Sequence, residues 1–390
     1  MQLDQPQPAV ILYLHGSADL YGADRTLLQL VSGLDRSCYR AVVALPKHGP
    51  LVAALTTAGA TVEIGPLGVG CRASMSICGI GRLLIDIPRA IGFVRGLVAK
   101  HKPKVIHTNT IVVLGGALGA WTTRIPHLWH VHEILAKNSS LSRFFTRTLQ
   151  VLSHIAVSNS RCTRASFAGA NLTDASLSNY RAHDHRVIHN GSPRGPAKKD
   201  QNPSSHPTVL LMGRINSWKG QELLLSAAAA LRDKHPAARY RIVGDAPSGQ
   251  VHFEHELDHR IAQAGLGDIV TRAGFVTDPT AEYLNADIVV VPSTRPEPFG
   301  LVAIEAMSFG LPVIAANHGG LPEIVKHGET GRLFTPGSSN DLTRQLELLL
   351  SDPWLARDLG ASGRARQASH FSLERYCVEF TDIYEQLQAA

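Results

Sequence analysis

Short apolar runs rich in Val, Ile and Leu recur along the chain, and between them apolar residues return every three or four positions. The first pattern fits strands buried on both faces, the second helices that bury one side. In the first half the runs predict strands at Ala9–Leu14, Ala41–Leu45, Thr61–Ile64, Lys104–Thr108, Leu128–His132, Ile155–Ser158 and Val187–His189. The periodicity between them predicts helices that include Ala23–Leu34, Gly81–Lys100 and Leu141–Leu149. Such alternation builds a parallel sheet with helices on both faces.

The rhythm stops at Ser192–Pro207, a Pro-, Ser- and Lys-rich stretch without apolar period, which reads as a linker. A second series follows. Strands are predicted at Thr208–Met212, Tyr240–Val243, Ile269–Thr271, Ile288–Val291 and Pro312–Ala315, and helices at Gln221–Lys234, His252–Ala264, Leu301–Phe309 and Asp341–Leu350. From Pro353 onward the chain reads as helical, with the proline in a first turn. The expected fold class is α/β, with two tandem doubly wound, Rossmann-like domains. The N-terminal domain takes residues 1–191, the linker 192–207, the C-terminal domain 208–370, and a final helix 371–390. Such sheets bind ligands at the carboxyl ends of their strands, and two facing sheets place a cleft between the domains.

Composition narrows the setting. The 390 residues suffice for two or three domains, and 44% apolar with 18% charged residues is ordinary for a globular protein. No run nears the roughly 20 apolar residues of a spanning helix, and Met1–Pro8 lacks a basic-then-apolar signal pattern. Five scattered cysteines argue against a disulfide framework. Together these predict a cytoplasmic protein. Charge is divided unevenly. Residues 1–190 hold 19 Lys+Arg against 9 Asp+Glu, a net +10, whereas residues 191–390 hold 19 against 23, a net −4. The basic half suits an anionic partner, a membrane surface or nucleic acid, or is simply a solvated face. No recognition-helix or aromatic RNA motif accompanies it, so no nucleic-acid partner is expected.

The densest candidate chemistry is Ser293–Gly320. A strand ends at Pro292, a short polar loop carries Glu297, and Phe299-Gly300-Leu301 opens a helix that Gly310 stops. Unsatisfied N–H groups and the positive dipole at such a helix start form a phosphate cradle, which Gly300 lets a ligand approach closely. Two carboxylates eight residues apart, Glu297 and Glu305, accept hydrogen bonds from hydroxyls rather than from phosphate. Upstream, Arg214 at a strand end and Lys219 before a helix supply two cations for a diphosphate leaving group.

The spacing Glu297-x7-Glu305, with Pro298-Phe299-Gly300 and Gly319-Gly320-Leu321-Pro322-Glu323, resembles the retaining glycosyltransferases of family 4, whose two-domain fold is GT-B. Gly213-Arg214 through Lys219-Gly220 resembles that family's Gly-Arg…Lys-Gly segment. Ile242-Val243-Gly244-Asp245 and Gly274-Phe275-Val276 resemble its base-pocket strands, and Val187–Gly191 the stretch before its linker. The resemblance implies transfer of a hexosyl-type sugar from a nucleotide-diphosphate donor, UDP or GDP, to a glycan or lipid-linked glycan, as in polysaccharide biosynthesis. It implies Arg214 and Lys219 at the diphosphate, Glu305 at the ribose, and Glu297 with the amides of Phe299, Gly300 and Leu301 at the sugar and phosphate. It also implies that the last helix, near Leu373–Leu387, packs back on the first domain. A nucleotide-sugar epimerase or hydrolase of the same fold, and a non-catalytic nucleotide-sugar-binding protein, are the alternatives.

The first half is looser. Gly16–Asp24 is a glycine-containing loop after the first strand but not GxGxxG, and where the family has two adjacent glycines this chain has Tyr21-Gly22. His130 and His132 share a strand face. With His127 they could form a zinc site by spacing alone. The family's His-then-acid turn matches His132-Glu133, placing His132 near the transferred sugar as a donor whose charge adjusts near pH 7, with His130 as the fallback. No Asp-x-Asp pair follows a strand, so no metal and no cofactor are expected. Cys71–Lys104 carries Arg72, Arg82, Arg89, Arg95, Lys100, Lys102 and Lys104 against Asp86, with apolar residues at helical spacing. It is either an ordinary sheet-packing helix or one that rests at the inner face of an anionic membrane.

Overall fold

A computed structural model describes residues 7–70, 77–136, 139–167, 184–196, 204–247 and 249–389, and of residues 77–84 the backbone alone. The chain divides into two compact units, Met1–Gly191 with Leu373–Ala390, and Ser192–Ser372.

In the first unit the elements are β1 (Ala9–His15), α1 (Gly22–Gly33), β2 (Tyr39–Leu45), α2 (Pro50–Thr57), β3 (Thr61–Ile64), α3 (Ile77–His101) and β4 (Val105–Asn109). There follow α4 (Leu114–Thr123), β5 (His127–Val131), α5 (Ser140–Leu152), β6 (Ile155–Ser158), α6 (Arg161–Phe167) and β7 (Asp184–Val187). The strands form one sheet in the order β3-β2-β1-β4-β5-β6-β7, every pair parallel. β1 is central, so alternate side chains enter different layers. Ile11 and Tyr13 join one core with Leu27 and Leu30 of α1, while Val10, Leu12 and Leu14 join another with Val94 and Leu97 of α3.

The second unit holds β8 (Thr208–Met212), α7 (Gln221–Leu231), β9 (Arg239–Val243), α8 (His252–Gln263), β10 (Val270–Ala273), α9 (Thr280–Asn285) and β11 (Ile288–Val291). It continues with α10 (Leu301–Ser308), β12 (Val313–Ala316), α11 (Leu321–Ile324), β13 (Arg332–Phe334), α12 (Ser339–Ser351) and α13 (Pro353–His370). Its parallel sheet runs β10-β9-β8-β11-β12-β13. In both sheets the strand order reverses beside the first strand, at β1/β4 and at β8/β11. This is the switch point at which α/β sheets bind ligands.

The last helix, α14 (Leu373–Ala389), belongs to the first unit. Tyr376, Phe380, Ile383, Tyr384 and Leu387 return at helical spacing and are all buried in the core that holds Tyr13 and Leu30. Tyr384 Oη lies 3.0 Å from Tyr13 Oη and 2.7 Å from His107 Nδ1.

Two differences from the sequence reading have clear causes. The last strand of the first sheet is Asp184–Val187, not Val187–His189. It is an edge strand, half-buried throughout, and a polar edge needs no apolar run. The helices α2 and α4 fall between predicted strands but the pattern did not delimit them. α4 reads LGGALGAWTT and packs through Gly115, Gly116, Ala117, Gly119 and Ala120, which periodicity in large side chains does not detect. The basic stretch falls on α3, but Arg72 and the side chain of Arg82 lie outside the described residues.

Candidate active site

In the second unit the site is built at the carboxyl ends of β8, β9 and β11. Gly213 donates its N–H to Val243 O and Gly244 donates to Ala273 O, continuing the ladders past the strand ends. A Cβ on Gly244, which has φ of 138°, would lie 2.2 Å from Gly213 O, so only glycine lets these two turns touch. Arg214 follows and is half-buried. Asp245 Oδ1 accepts from the Phe275 N–H at 2.9 Å and fixes that turn, with Phe275 39% exposed.

Asn216 Oδ1 accepts from the N–H groups of Trp218 and Lys219, each at 3.1 Å, which folds the loop before α7. Gly220, at φ of 80°, caps that helix; a Cβ there would stand 1.9 Å from Pro292 O. The loop thus lies against the end of β11, where Thr294 N–H bonds Trp218 O at 2.7 Å. Lys219 Nζ reaches Glu297 Oε1 at 2.5 Å and lies 4.6 Å from the centroid of the Trp218 ring. Ser293 Oγ donates to the same Glu297 oxygen at 2.5 Å. Glu297 is buried, so its charge is met by an ammonium and a hydroxyl instead of water.

Gly300, at φ of 118°, opens α10 after the buried Phe299, with half-buried Leu301 as its first residue, and Gly310 follows its end. Gly320 N–H donates to Glu297 O at 2.8 Å, seating the Gly319-Gly320 turn on the Glu297 backbone. Glu305 is buried on α10 and accepts from the Tyr283 hydroxyl at 2.8 Å. The structure therefore joins Lys219 to Glu297 at one strand end and sets Glu305 against α9. Ser293, Asn216 and Tyr283 were missed by the sequence reading. The Asn216 turn had a signal in its Asn-Ser-Trp-Lys-Gly order; Tyr283 had none.

The first unit carries a buried chain of polar side chains at the ends of β1, β4 and β5, which are neighbours in the sheet. His15 Nε2 lies 2.7 Å from Asp24 Oδ1, and Asp24 Oδ2 accepts from the Tyr21 N–H at 3.0 Å. Asn109 Nδ2 lies 2.9 Å from His15 Nδ1, and Asn109 Oδ1 lies 2.8 Å from His132 Nε2. Burial works to raise the Asp24 carboxyl, but the hydrogen bonds from His15 and from the Tyr21 N–H bring it below its ordinary value. Glu133 Oε2 accepts from the N–H groups of Ile111 and His132, and burial pushes its carboxyl up.

Burial lowers His132 to about 3. It is therefore a neutral ring at pH 7, which corrects the expectation of a charge adjusting there. His130, the fallback, is 1% exposed, with its ring 4.9 Å from that of Phe380 and 4.0 Å from that of His132. Neither of its nitrogens has a hydrogen-bond partner among the described residues, so it reads as a core side chain. His127 spends Nε2 on Thr108 Oγ1 at 2.7 Å and Nδ1 on Leu152 O at 2.5 Å, which removes it from a zinc set. Among the described residues no group of three or more His, Cys, Asp or Glu is placed to hold a metal ion. Gly22 is exposed at the start of α1, with nothing within 4 Å of where a Cβ would sit.

Two Rossmann-like sheets of this order define the GT-B class of fold. Residues 196–366 match the family described as glycosyl transferases group 1, and residues 21–195 match the glycosyl transferase 4-like domain. The chain belongs to the family 4-like glycosyltransferases. Anabaena HepE, solved with UDP and glucose, is 26% identical over 96% of this chain and 99% of its own, with a TM-score of 0.78. D-inositol 3-phosphate glycosyltransferase of Streptomyces bingchenggensis is 38% identical over 182 residues, 45% of this chain and 40% of that protein. Sulfoquinovosyl transferase SQD2 of Arabidopsis thaliana is 28% identical over 68% of this chain and 54% of its own. The chain thus spans about two-fifths to a half of the curated relatives it matches. No helix among the described residues is long and apolar enough to cross a membrane.

Proposed function

We propose that the protein transfers a glycosyl group, hexosyl in type, from a nucleotide-diphosphate sugar to a hydroxyl of a glycan or lipid-linked glycan, with retention at the anomeric carbon. The observation that carries this is the Lys219–Glu297–Ser293 cluster beside the opening of α10, at the switch point of the second sheet. Arg214, Lys219 and the first amides of α10 neutralise the diphosphate, and no metal ion is required. Glu305 takes the ribose hydroxyls, Glu297 the sugar, and the exposed ring of Phe275 stacks against the base near Gly244. His132 takes a hydroxyl of the transferred sugar, and the open backbone at Gly22 meets its phosphate. The likeness to HepE, solved with UDP and with UDP-glucose, favours UDP over GDP.

In the reaction the bond from the anomeric carbon to the β-phosphate oxygen breaks, and its electron pair leaves with the phosphate. The acceptor oxygen bonds to the same face of that carbon, and its proton passes to the departing phosphate. Cations fixed before the charge develops lower the barrier because they need no reorganisation.

The test is UDP-glucose with an oligosaccharide or polyprenyl-linked sugar acceptor, with the product's anomeric coupling read by NMR. An α-linked product formed equally with and without a chelator supports the reading. A β-linked product overturns retention, loss of activity restored by Mg²⁺ or Mn²⁺ overturns metal independence, and donor turnover without acceptor favours an epimerase or hydrolase.

The reading extends to a weak contact with anionic lipid. Ile85, Arg89 and Arg95 are exposed on α3, in the basic half of the chain. Co-sedimentation with anionic vesicles at low salt, lost at moderate salt, supports it; no binding at either removes it.

A further inference from the structure

We infer that Asp24, His15 and Asn109 are positioning residues that set the tautomer of His132, so that its Nδ1 presents a lone pair and selects a sugar hydroxyl that donates. The ligand rests on the reading above; the relay rests on geometry alone.

The chain of bonds starts at a charged group. An ionised carboxylate accepts only, so Asp24 Oδ1 at 2.7 Å requires a proton on His15 Nε2. Asn109 Nδ2 also donates to Ala23 O at 3.4 Å, which keeps the amide nitrogen on that side, so His15 Nδ1, 2.9 Å from it, must accept. With its nitrogen turned to His15, Asn109 shows its oxygen to His132 Nε2 at 2.8 Å, and that nitrogen must carry the proton. His132 Nδ1 is left as the acceptor, and among the described residues it has no hydrogen-bond partner.

Every member is buried: His15 and Asn109 are each 1% exposed, Asp24 4% and His132 8%. Water therefore cannot relax the donor–acceptor polarity between them. Each sits at a rigid place, two at strand ends, one in the first turn of α1 and one directly after β5. The backbone of His132 is held in turn by Glu133. The order of bonds runs one way only, so the charge on Asp24 specifies a proton position three residues further along the relay.

The polarity should reverse with one atom. In Asp24→Asn the Tyr21 N–H still needs an oxygen, so the new amide turns its nitrogen to His15. His15 Nε2 must then accept and Nδ1 donate; Asn109 turns over, giving up its weak 3.4 Å bond to Ala23 O; and His132 takes its proton on Nδ1.

The experiment is ¹H–¹⁵N long-range NMR on the full chain labelled at histidine, at neutral pH and without ligand, with His132 and His15 assigned from His132→Gln and His15→Gln. In the wild type His132 is expected as the Nε2–H form, and in Asp24→Asn predominantly as the Nδ1–H form. In Asn109→Ala, adding Asp24→Asn should move His15 and leave His132 unchanged. Asn109→Asp covers a misfolded Asp24→Asn: its carboxylate should keep His132 as Nε2–H and make His15 doubly protonated. A wild-type His132 protonated on Nδ1, or a His132 that stays Nε2–H after His15 has reversed, overturns the inference. Because the readout needs no donor or acceptor, failure of glycosyl transfer leaves this result standing. If transfer is found, Asp24→Asn should lower kcat at least tenfold more than it changes the KM for acceptor, whereas an equal change in both would count against a role at the transferred sugar.

Discussion

Lys219 Nζ lies 2.5 Å from Glu297 Oε1 across 78 residues of sequence, and the two are the closest-held opposite charges at the end of the second sheet's central strands. The pair is largely out of water, with side-chain exposures of 21% and 7%. Removing one partner strands the other, at a cost of up to about 3 kcal/mol. Lys219→Met is expected to lower glycosyl transfer about 100- to 1000-fold, the worth of one charged donor at a developing anion. Glu297→Gln should lose transfer comparably yet unfold in urea closer to wild type, because the Ser293 bond survives. Urea melts beside initial rates check both, and an active Lys219→Met would end the assignment to the diphosphate.

Glu305 and Tyr283 give a second test. A ribose gripped by Glu305 is worth one or two hydrogen bonds to a charged group, so Glu305→Ala should weaken UDP binding about 10- to 100-fold. Tyr283→Phe removes only the hydroxyl that steadies the carboxylate and should cost less. Titration calorimetry with UDP, GDP and ADP measures both and identifies the base; unchanged UDP binding by Glu305→Ala would exclude the ribose role.

Two glycines should behave oppositely. Gly220→Ala forces a Cβ to 1.9 Å from Pro292 O at positive φ and is expected to lower Tm sharply or prevent folding. Gly22→Ala meets nothing within 4 Å and should leave stability within about 0.5 kcal/mol. If the backbone at Gly22 approaches phosphate, the donor KM rises in that variant although the melt does not change. An unchanged KM would free this position from the donor.

The first unit should be acid-sensitive. Burial lowers His127 and His185 to about 4 and His132 to about 3, and holds His107 and His130 well below the ordinary histidine range. Each ring protonates in the unfolded chain near pH 6.5 but not in the folded one. The unfolded state thus binds more protons between those values, and stability rises with pH there. The contribution is complete above about pH 6.5 and is lost toward pH 4, at about 1.4 kcal/mol per unit for each ring. Hydrogen exchange at pH 7 and pH 5 should show the first sheet losing protection while β8–β12 keep theirs. Equal loss in both units would contradict these assignments.

Much of this was legible in the sequence, for particular reasons. The buried central strands are continuous apolar runs, and β1, β2, β8, β11 and β12 were found because of it. The helix opened by Phe299-Gly300-Leu301 was also found, with its end at Gly310 following from capping chemistry. β13 was not found because three residues hold no period. The relay from Asp24 to His132 was invisible because strand order, not sequence spacing, brings His15, Asn109 and His132 together. His132 was singled out, but its neutral state depends on burial that a local pattern does not show.

The assignment of α14 to the first unit has a consequence during synthesis. The segment Ser192–Ser372 is continuous and can complete its own core as soon as it leaves the ribosome. The unit translated first cannot, since Tyr376, Phe380 and Tyr384, which cover Tyr13, His107 and His130, are made after that segment. The half made earliest keeps part of one side of its sheet, beside α1, uncovered until α14 arrives.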